Sequence, residues 1–366
     1  MMRWIAKSLC RALYKIGFWQ SMLAFERIVG WRRHAVVLLY HHIRADSDLS
    51  LPLSQVEEGT RESVLAVQLD ALCRWYQPCK SAELHAALTG SARLKGDRIL
   101  VTFDDGYCDN WTLARHALQA NGTQALIFIA TGYIETERRF WWIQLNDIVR
   151  SLTAESMARL CAACHESSPI ARALEDAEIG SHTERRKLRV GIASILDSLP
   201  ELQRQAEMAV LSSAADSSAA SCMPLLTWSE MQSIQGEIYE FGAHTATHPK
   251  MTRISPEQLR AEIEGCVKTL NEKLGRRPAA FAYPHGDYNQ VVENQVRLAG
   301  FAGAYAANPG TATPGRTNPF RIPRIQLHLA EPAALAMFIV ALKASKYVPR
   351  VMRPILSRLV GEPFET

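Results

Sequence analysis

Short, β-branched apolar runs alternate along this chain with stretches of helical period, and that alternation limits the fold more than any other feature. Ala-Val-Val-Leu-Leu-Tyr-His-His-Ile (35–43), Arg-Ile-Leu-Val-Thr-Phe (98–103) and Thr-Gln-Ala-Leu-Ile-Phe-Ile-Ala (123–130) are too apolar to offer a solvent face. They read as strands buried on both sides. Residues 63–76 and 109–121 between them have helical period, with a short helix over 81–89. Strand, helix, strand in this order predicts a parallel sheet with helical crossovers.

Residues 141–222 break the rhythm. They are rich in Ala, Leu, Glu and Arg, contain no strong strand, and read as a helical insertion. A Ser/Ala-rich patch over 211–221 reads as a loop. The alternation then resumes with strands at 236–244, 279–284 and 300–306 and helices over 255–274 and 289–298. Ser255 is a suitable N-cap and Pro256 a suitable first helical residue.

Both termini are basic. Residues 1–33 hold Arg3, Lys7, Arg11, Lys15, Arg27, Arg32 and Arg33 against Glu26 alone, so the net +4 of the chain conceals a slightly acidic remainder. The first four recur every fourth position and share one helical face. Basic residues interrupt every candidate signal-peptide core, and no stretch approaches the roughly 20 uncharged residues of a spanning helix. Two readings stand: a helix lying on an anionic membrane surface, or one docked on the protein's own body. Residues 337–366 repeat the theme with Lys343, Lys346, Arg350, Arg353 and Arg358. The expected division is therefore a basic segment 1–33, a main domain 34–336 and a basic segment 337–366. Nucleic acid is not an expected partner, because no aromatic platform accompanies the basic residues. Eight scattered cysteines, with Cys161 and Cys164 the only C-x-x-C, read as free thiols. Free thiols and the lack of an export signal give a cytoplasmic expectation, peripheral to the membrane's inner face.

The chemistry concentrates at strand ends. Asp104 and Asp105 follow the strand 98–103 directly, and His244 and His248 follow the strand 236–244. In parallel α/β sheets and barrels the carboxyl ends of strands share one face, so the acids and imidazoles converge. Two His and one carboxylate hold a divalent ion and leave positions open. The second Asp then stays off the metal and takes a proton from water. A β-turn at Asp-Gly is the plain structural alternative for the acids.

Thr-Phe-Asp-Asp-Gly-Tyr (102–107), His-Thr-Ala-Thr-His (244–248) and Phe-Ala-Tyr-Pro-His-Gly (281–286) resemble three motifs of the polysaccharide deacetylases, carbohydrate esterase family 4. The resemblance covers roughly residues 35–140 and 225–330. It implies an α/β fold, a distorted (β/α)7 barrel with the helical insertion and basic terminal helices added. The implied reaction is metal-dependent removal of acetyl groups, N-acetyl first, from a sugar, oligosaccharide or exopolysaccharide precursor. The implied metal is zinc, with cobalt, nickel or manganese as alternatives. By resemblance Asp104 is the general base, Asp105, His244 and His248 are metal ligands, and Thr245 orients their loop. The N–H of His285 would bind the oxyanion, with Tyr283 beside it. Where the family usually has an arginine that steadies the base, this chain has Ala282; Arg321 and Arg324 are the candidate replacements. The leucine and acid histidine of the last motif are expected at Leu39 and His41, as in the permuted deacetylases of poly-N-acetylglucosamine, because a closed barrel sets the first strand beside the last.

Other residues carry weaker expectations. His42 points away from the site on an extended strand. His328 reads as a loop or surface residue, and His34, His85, His116, His165 and His182 as exposed or capping ones. Trp141 and Trp142 read either as a sugar-stacking platform or as core anchors. The expected partner is an N-acetylated glycan or lipid-linked oligosaccharide. Two other functions fit the residues: a catalytically silent carbohydrate-binding protein, or a hydrolase of another amide or an O-acetyl ester.

Overall fold

The computed structural model describes residues 12–18, 21, 33–54, 58–165, 167–214 and 223–344. Arg3, Lys7, Arg11, Arg27 and Arg32, and Lys346, Arg350, Arg353 and Arg358, on which the two membrane-facing readings rest, lie outside the described residues. Among the described residues no helix is long and apolar enough to cross a membrane.

Seven parallel strands form one curled sheet: β1 (Ala35–Tyr40), β2 (Gln77–Pro78), β3 (Arg98–Phe103), β4 (Ala125–Ile129), β5 (Tyr239–Ala243), β6 (Ala280–Ala282) and β7 (Gly303–Tyr305). The order is β1-β3-β4-β5-β6-β7, with β2 pairing to the start of β3. A short extended segment closes the ring. Ile322 bonds Ala304 and Ala306 on one side, and Ile325 bonds Val37 and Leu39 on the other. The sequence led us to expect β1 beside the last strand; residues 322–325 stand between them instead.

Strand side chains alternate between two cores, as a period of two requires. Ala35, Val37, Leu100, Leu126, Phe128, Ala282 and Tyr305 fill the barrel interior. Val36, Leu38, Tyr40, Ile99, Val101, Phe103, Ile127 and Ile129 face outward into the larger core beneath the helices. Helices α1 (Glu62–Cys73), α2 (Ser81–Leu88), α3 (Asp109–Thr112) and α4 (Ala114–Ala120) belong to the first half, and the helix expected over 109–121 divides at Leu113. His85 of α2 is buried against the Tyr305 hydroxyl at 3.0 Å, and His34 against Tyr76 at 3.2 Å. Both histidines are therefore core residues, contrary to the expectation of exposure. His116 and His165 are exposed, and His182 is half-buried.

The insertion is helical, with α5 (Trp141–Ser151), α6 (Ala154–Ala163), α7 (Ala171–Glu175), α8 (His182–Ser198) and α9 (Glu201–Ala214). It has a core of its own around Leu145, Leu160, Ile192, Leu196 and Leu211. Helix α9 carries on through Ala214, into the patch read as a loop; 215–222 lie outside the described residues. Helices α10 (Trp228–Ile234), α11 (Pro256–Leu274) and α12 (Gln290–Leu298) return to the barrel. Ser255 caps α11 with a reciprocal bond to Gln258, and Gly275 ends it at φ 65°. The last described helix, α13 (Pro332–Ala344), packs on α1 and buries Leu335, Phe338, Ile339 and Leu342 in the outer core. The boundary drawn at 336 thus falls inside a helix that belongs to the barrel.

Candidate active site

Alternation along the strands decides what reaches the rim. The inward series Ala35, Val37 continues to Leu39 and His41, and Leu100, Thr102 continues to Asp104. His42, one residue on, turns outward, where its Nδ1 meets Asp109 at 2.5 Å. Asp109 also accepts the N–H of Ile43 (2.7 Å), and buried Asn110 donates to the carbonyl of His41 (2.5 Å). Helix α3 therefore clamps the strand end that carries His41.

Asp105, His244 and His248 converge in a buried cluster. Asp105 Oδ1 is 3.7 Å from His244 Nε2 and 3.5 Å from His248 Nε2, and the two imidazole nitrogens are 3.2 Å apart. Ligands about 2.1 Å from one ion at tetrahedral angles stand about 3.4 Å from each other. Asp105 Oδ1 is buried without a hydrogen-bond partner among the described residues. Three donors at metal-chelating separations, one of them an orphaned carboxylate oxygen, fit a divalent ion. His244 Nδ1 donates to the carbonyl of Ala282 at 2.8 Å, which leaves the Nε2 lone pair facing the centre. Burial lowers His244 to about 4 and His248 well below its usual value, so both are neutral donors. Burial, joined by the charge of Asp104, raises Asp105 to about 8.

The local backbone is bent to bring these groups together. Among the described residues five that are not glycine have φ in the left-handed region, and four are here: Asp105 (74°), Thr245 (64°), His248 (58°) and His285 (57°). Each such residue costs on the order of 1 kcal/mol or more and persists where its surroundings impose it. Gly106 (φ 82°) sits where any other side chain is strained, and a Cβ there would also lie 2.8 Å from Ile129 Cδ1 and force it to move. The Thr245 hydroxyl accepts the His248 N–H at 2.9 Å. Glu262 of α11 accepts the N–H groups of Ala246 (2.9 Å) and Thr247 (2.7 Å) and the Thr247 hydroxyl (2.5 Å). This grip on the histidine loop went unseen in the sequence, where Glu262 is one more acidic residue on a helix.

Asp104 is held by Arg324, whose fork donates to Oδ1 at 2.6 Å and Oδ2 at 2.8 Å. Arg324 is 1% exposed and also bonds the carbonyl of Ala306 and the Thr102 hydroxyl. Burial pushes the Asp104 carboxyl up, but Arg324 and the facing histidines outweigh it and leave the pKa below the usual value. Of the two arginines considered for the place vacated at Ala282, Arg324 reaches the acid. Arg321 pairs instead with Glu293.

His41 Nε2 stands 4.0 Å from Asp104 Oδ2. Desolvation lowers its pKa, against the pull of Asp104. A cavity of about 320 Å³ opens over these groups, lined also by Leu39, Trp141, Trp142, Asp197 and His285. Trp142 is both anchor and wall: it stacks on Phe140 and meets the His248 ring in a T-shaped contact with centroids 5.0 Å apart. Tyr283 is not in the cavity. Its hydroxyl bonds the carbonyl of Phe320 and its ring stacks on Tyr288, so its assignment beside the oxyanion is corrected. His328 is exposed and lies outside the cavity lining. Asp197, from the insertion, is a wall residue that carries no sequence signal.

The polysaccharide deacetylase family model matches residues 189–304, a stretch that includes the histidine pair and stops short of Asp104 and Asp105. No curated protein matches the chain in sequence. Among solved structures, the deacetylase PplD of Streptococcus pyogenes is similar at 16% identity and TM-score 0.53, over 86% of this chain and 99% of that one. IcaB from Ammonifex degensii is similar at 18% and 0.51, over 83% and 97%. The Bacillus cereus polysaccharide deacetylase BC0361 is similar at 15% and 0.51, over 84% and 69%. These likenesses, all below 20% identity, establish the curled parallel barrel, and over residues 189–304 the chain matches the polysaccharide deacetylase family model.

Proposed function

We propose that this protein is a metal-dependent deacetylase that hydrolyses the N-acetyl group of a sugar within a glycan or lipid-linked oligosaccharide. The observation that carries this reading is the pairing of a three-donor cluster, Asp105, His244 and His248, with a second acid, Asp104, kept off it by Arg324. The donor set of two imidazoles and one carboxylate favours zinc, with cobalt, nickel or manganese as alternatives. A divalent ion bound there would polarise the acetyl carbonyl and acidify a water.

The chain's own residues would then do the following. Asp104 is ionised at neutral pH and accepts a proton from the attacking water through lone pairs that Arg324 does not use. The main-chain N–H of His285 donates to the developing oxyanion. His41 gives a proton to the leaving nitrogen as the C–N bond breaks, releasing acetate and the free amine. Because desolvation keeps His41 neutral at rest, the proton that Asp104 has just taken, 4.0 Å away, is the one at hand. Leu39 lines the space for the acetyl methyl. The similar S. pyogenes deacetylase was solved in complex with acetate, the product expected here.

The test is acetate release from a panel of N-acetylated chito-oligosaccharides and acetylated xylan, with and without chelator. Release from the N-acetylated members, abolished by chelator and restored by zinc, is expected. One bound metal with no acetate from any member would leave a silent carbohydrate-binding protein.

Metal affinity should depend on pH with a defined sign. In the metal-free protein Asp105 holds a proton below about 8, and an incoming ion must displace it. Apparent zinc affinity should therefore fall about tenfold per pH unit below about 8. The histidines do not compete until near 4, where His244 titrates. Competitive zinc titrations between pH 6 and 8 check this, and a flat profile would remove Asp105 from the ligand set.

A further inference from the structure

We propose that the helical insertion supplies the sugar-reading wall of the active site, with Asp197 accepting hydrogen bonds from sugar hydroxyls and Trp141 facing the sugar ring. The inference rests on the deacetylase reading and names what that reading leaves open, the part of the chain that selects the sugar.

Three observations carry it. First, the insertion has its own core, against which Trp141 packs, and Trp141, Trp142 and Asp197 also line the cavity over Asp104 and Asp105. Second, Asp197 is fixed from the barrel side. Lys250 Nζ donates to its main-chain carbonyl (3.0 Å) and to Oδ2 (2.6 Å), and Arg253 donates to the same carbonyl (3.3 Å). Both cations follow His248 in sequence, so the last turn of α8 is bolted to the segment that follows the metal-binding loop. Cations at a helix C-terminus are also favourable in themselves. Third, the carboxylate is not consumed by this strap. The carbonyl takes two of the three bonds, and the side chain remains 47% exposed. A carboxylate with open lone pairs lining one cavity with an indole is a matched receptor for a sugar, whose hydroxyls donate and whose ring carries an apolar C–H face.

Trp141 is held in place for this. Arg204 lies 5.6 Å over its ring, and Trp142 meets it edge-on at 5.7 Å.

The experiment is steady-state kinetics of zinc-loaded full-length protein on tri-N-acetylchitotriose, with Asp197→Ala, Asp197→Asn and Trp141→Ala. Removing a hydrogen bond to a charged group changes binding by about ten- to a hundredfold. The expected result is a KM raised by about tenfold or more for Asp197→Ala and Trp141→Ala, with kcat much less affected and zinc content at the wild-type level. Asp197→Asn, which keeps the carbonyl strap, should also raise KM. A KM within twofold of wild type in Asp197→Ala overturns the inference. So does a joint loss of kcat and zinc, which would make Asp197 a strap only. If the wild type releases no acetate at all, the deacetylase reading fails first. Calorimetric binding of the same trisaccharide then decides the wall: weaker binding in the variants supports it, and equal binding or none to wild type overturns it.

Discussion

Arg324→Met protein should unfold with about 3–5 kcal/mol less stability than the parent in metal-free buffer at pH 8, the usual cost of stripping one partner from a buried ion pair. The side chain is 1% exposed, and its fork serves both oxygens of a carboxylate that is itself buried. Without it, Asp104 sits in the barrel mouth beside a second acid with no counter-charge. The pH dependence follows from the sign of the shift. In the parent, Asp104 has a depressed pKa, so its pairing stabilises the fold above the unfolded value and is lost as pH falls. In the variant the carboxyl must rise instead, so the deficit is largest at alkaline pH and shrinks as Asp104 takes up a proton. Urea unfolding at pH 5 and pH 8 reads both effects. A loss below about 1 kcal/mol at pH 8 would show that the pair carries little net energy. Arg324→Lys should recover only part, because an ammonium keeps the charge and loses the fork.

The second large effect separates two adjacent acids. Asp104→Asn should bind one zinc and lose about 10²–10⁴ in kcat, the range of a positioned general base. Asp105→Asn should lose the zinc itself, since an amide oxygen is a poor third ligand beside two neutral imidazoles. Metal content by emission spectroscopy and acetate release on the same samples make the comparison. Asp104→Asn leaves Arg324 buried without its anion, so its fold is checked by urea first, and the Asp104→Asn/Arg324→Met pair should regain part of the stability. A metal-free Asp104→Asn with a loaded Asp105→Asn would reverse the two roles.

The strands and the convergence at their ends were legible because both are local matters. An apolar run names a buried strand, and a period of two dictates that Leu39, His41 and Asp104 face inward while His42 does not. The cap at Ser255 was legible for the same reason. What escaped were the partners across the fold. Glu262 grips the histidine loop from a helix whose sequence shows only an acidic residue on its surface. Arg321 and Arg324 are three residues apart; the register of the closing segment sends one to Glu293 and the other to Asp104. His34 and His85 were misread because a histidine's burial depends on whether a tyrosine hydroxyl waits opposite it. Tyr283 was misread because a motif places a backbone, and the ring then went to Tyr288 and Phe320.

The closing segment at 322–325 has a consequence for the making of the protein. Asp104 and Arg324 are 220 residues apart in the chain. At ribosomal rates of about 5–20 residues per second, the acid emerges roughly 10 to 45 s before its guanidinium. During that time the nascent barrel has no ring, and Asp104 has no reason to stay ionised beside Asp105. The two motifs at the strand ends can meet, but Asp104 gains its guanidinium partner only from nearly the last of the barrel to be synthesised. A truncated product ending before residue 322 would therefore carry the whole Asp105, His244 and His248 cluster and lack the one cation that pairs with Asp104.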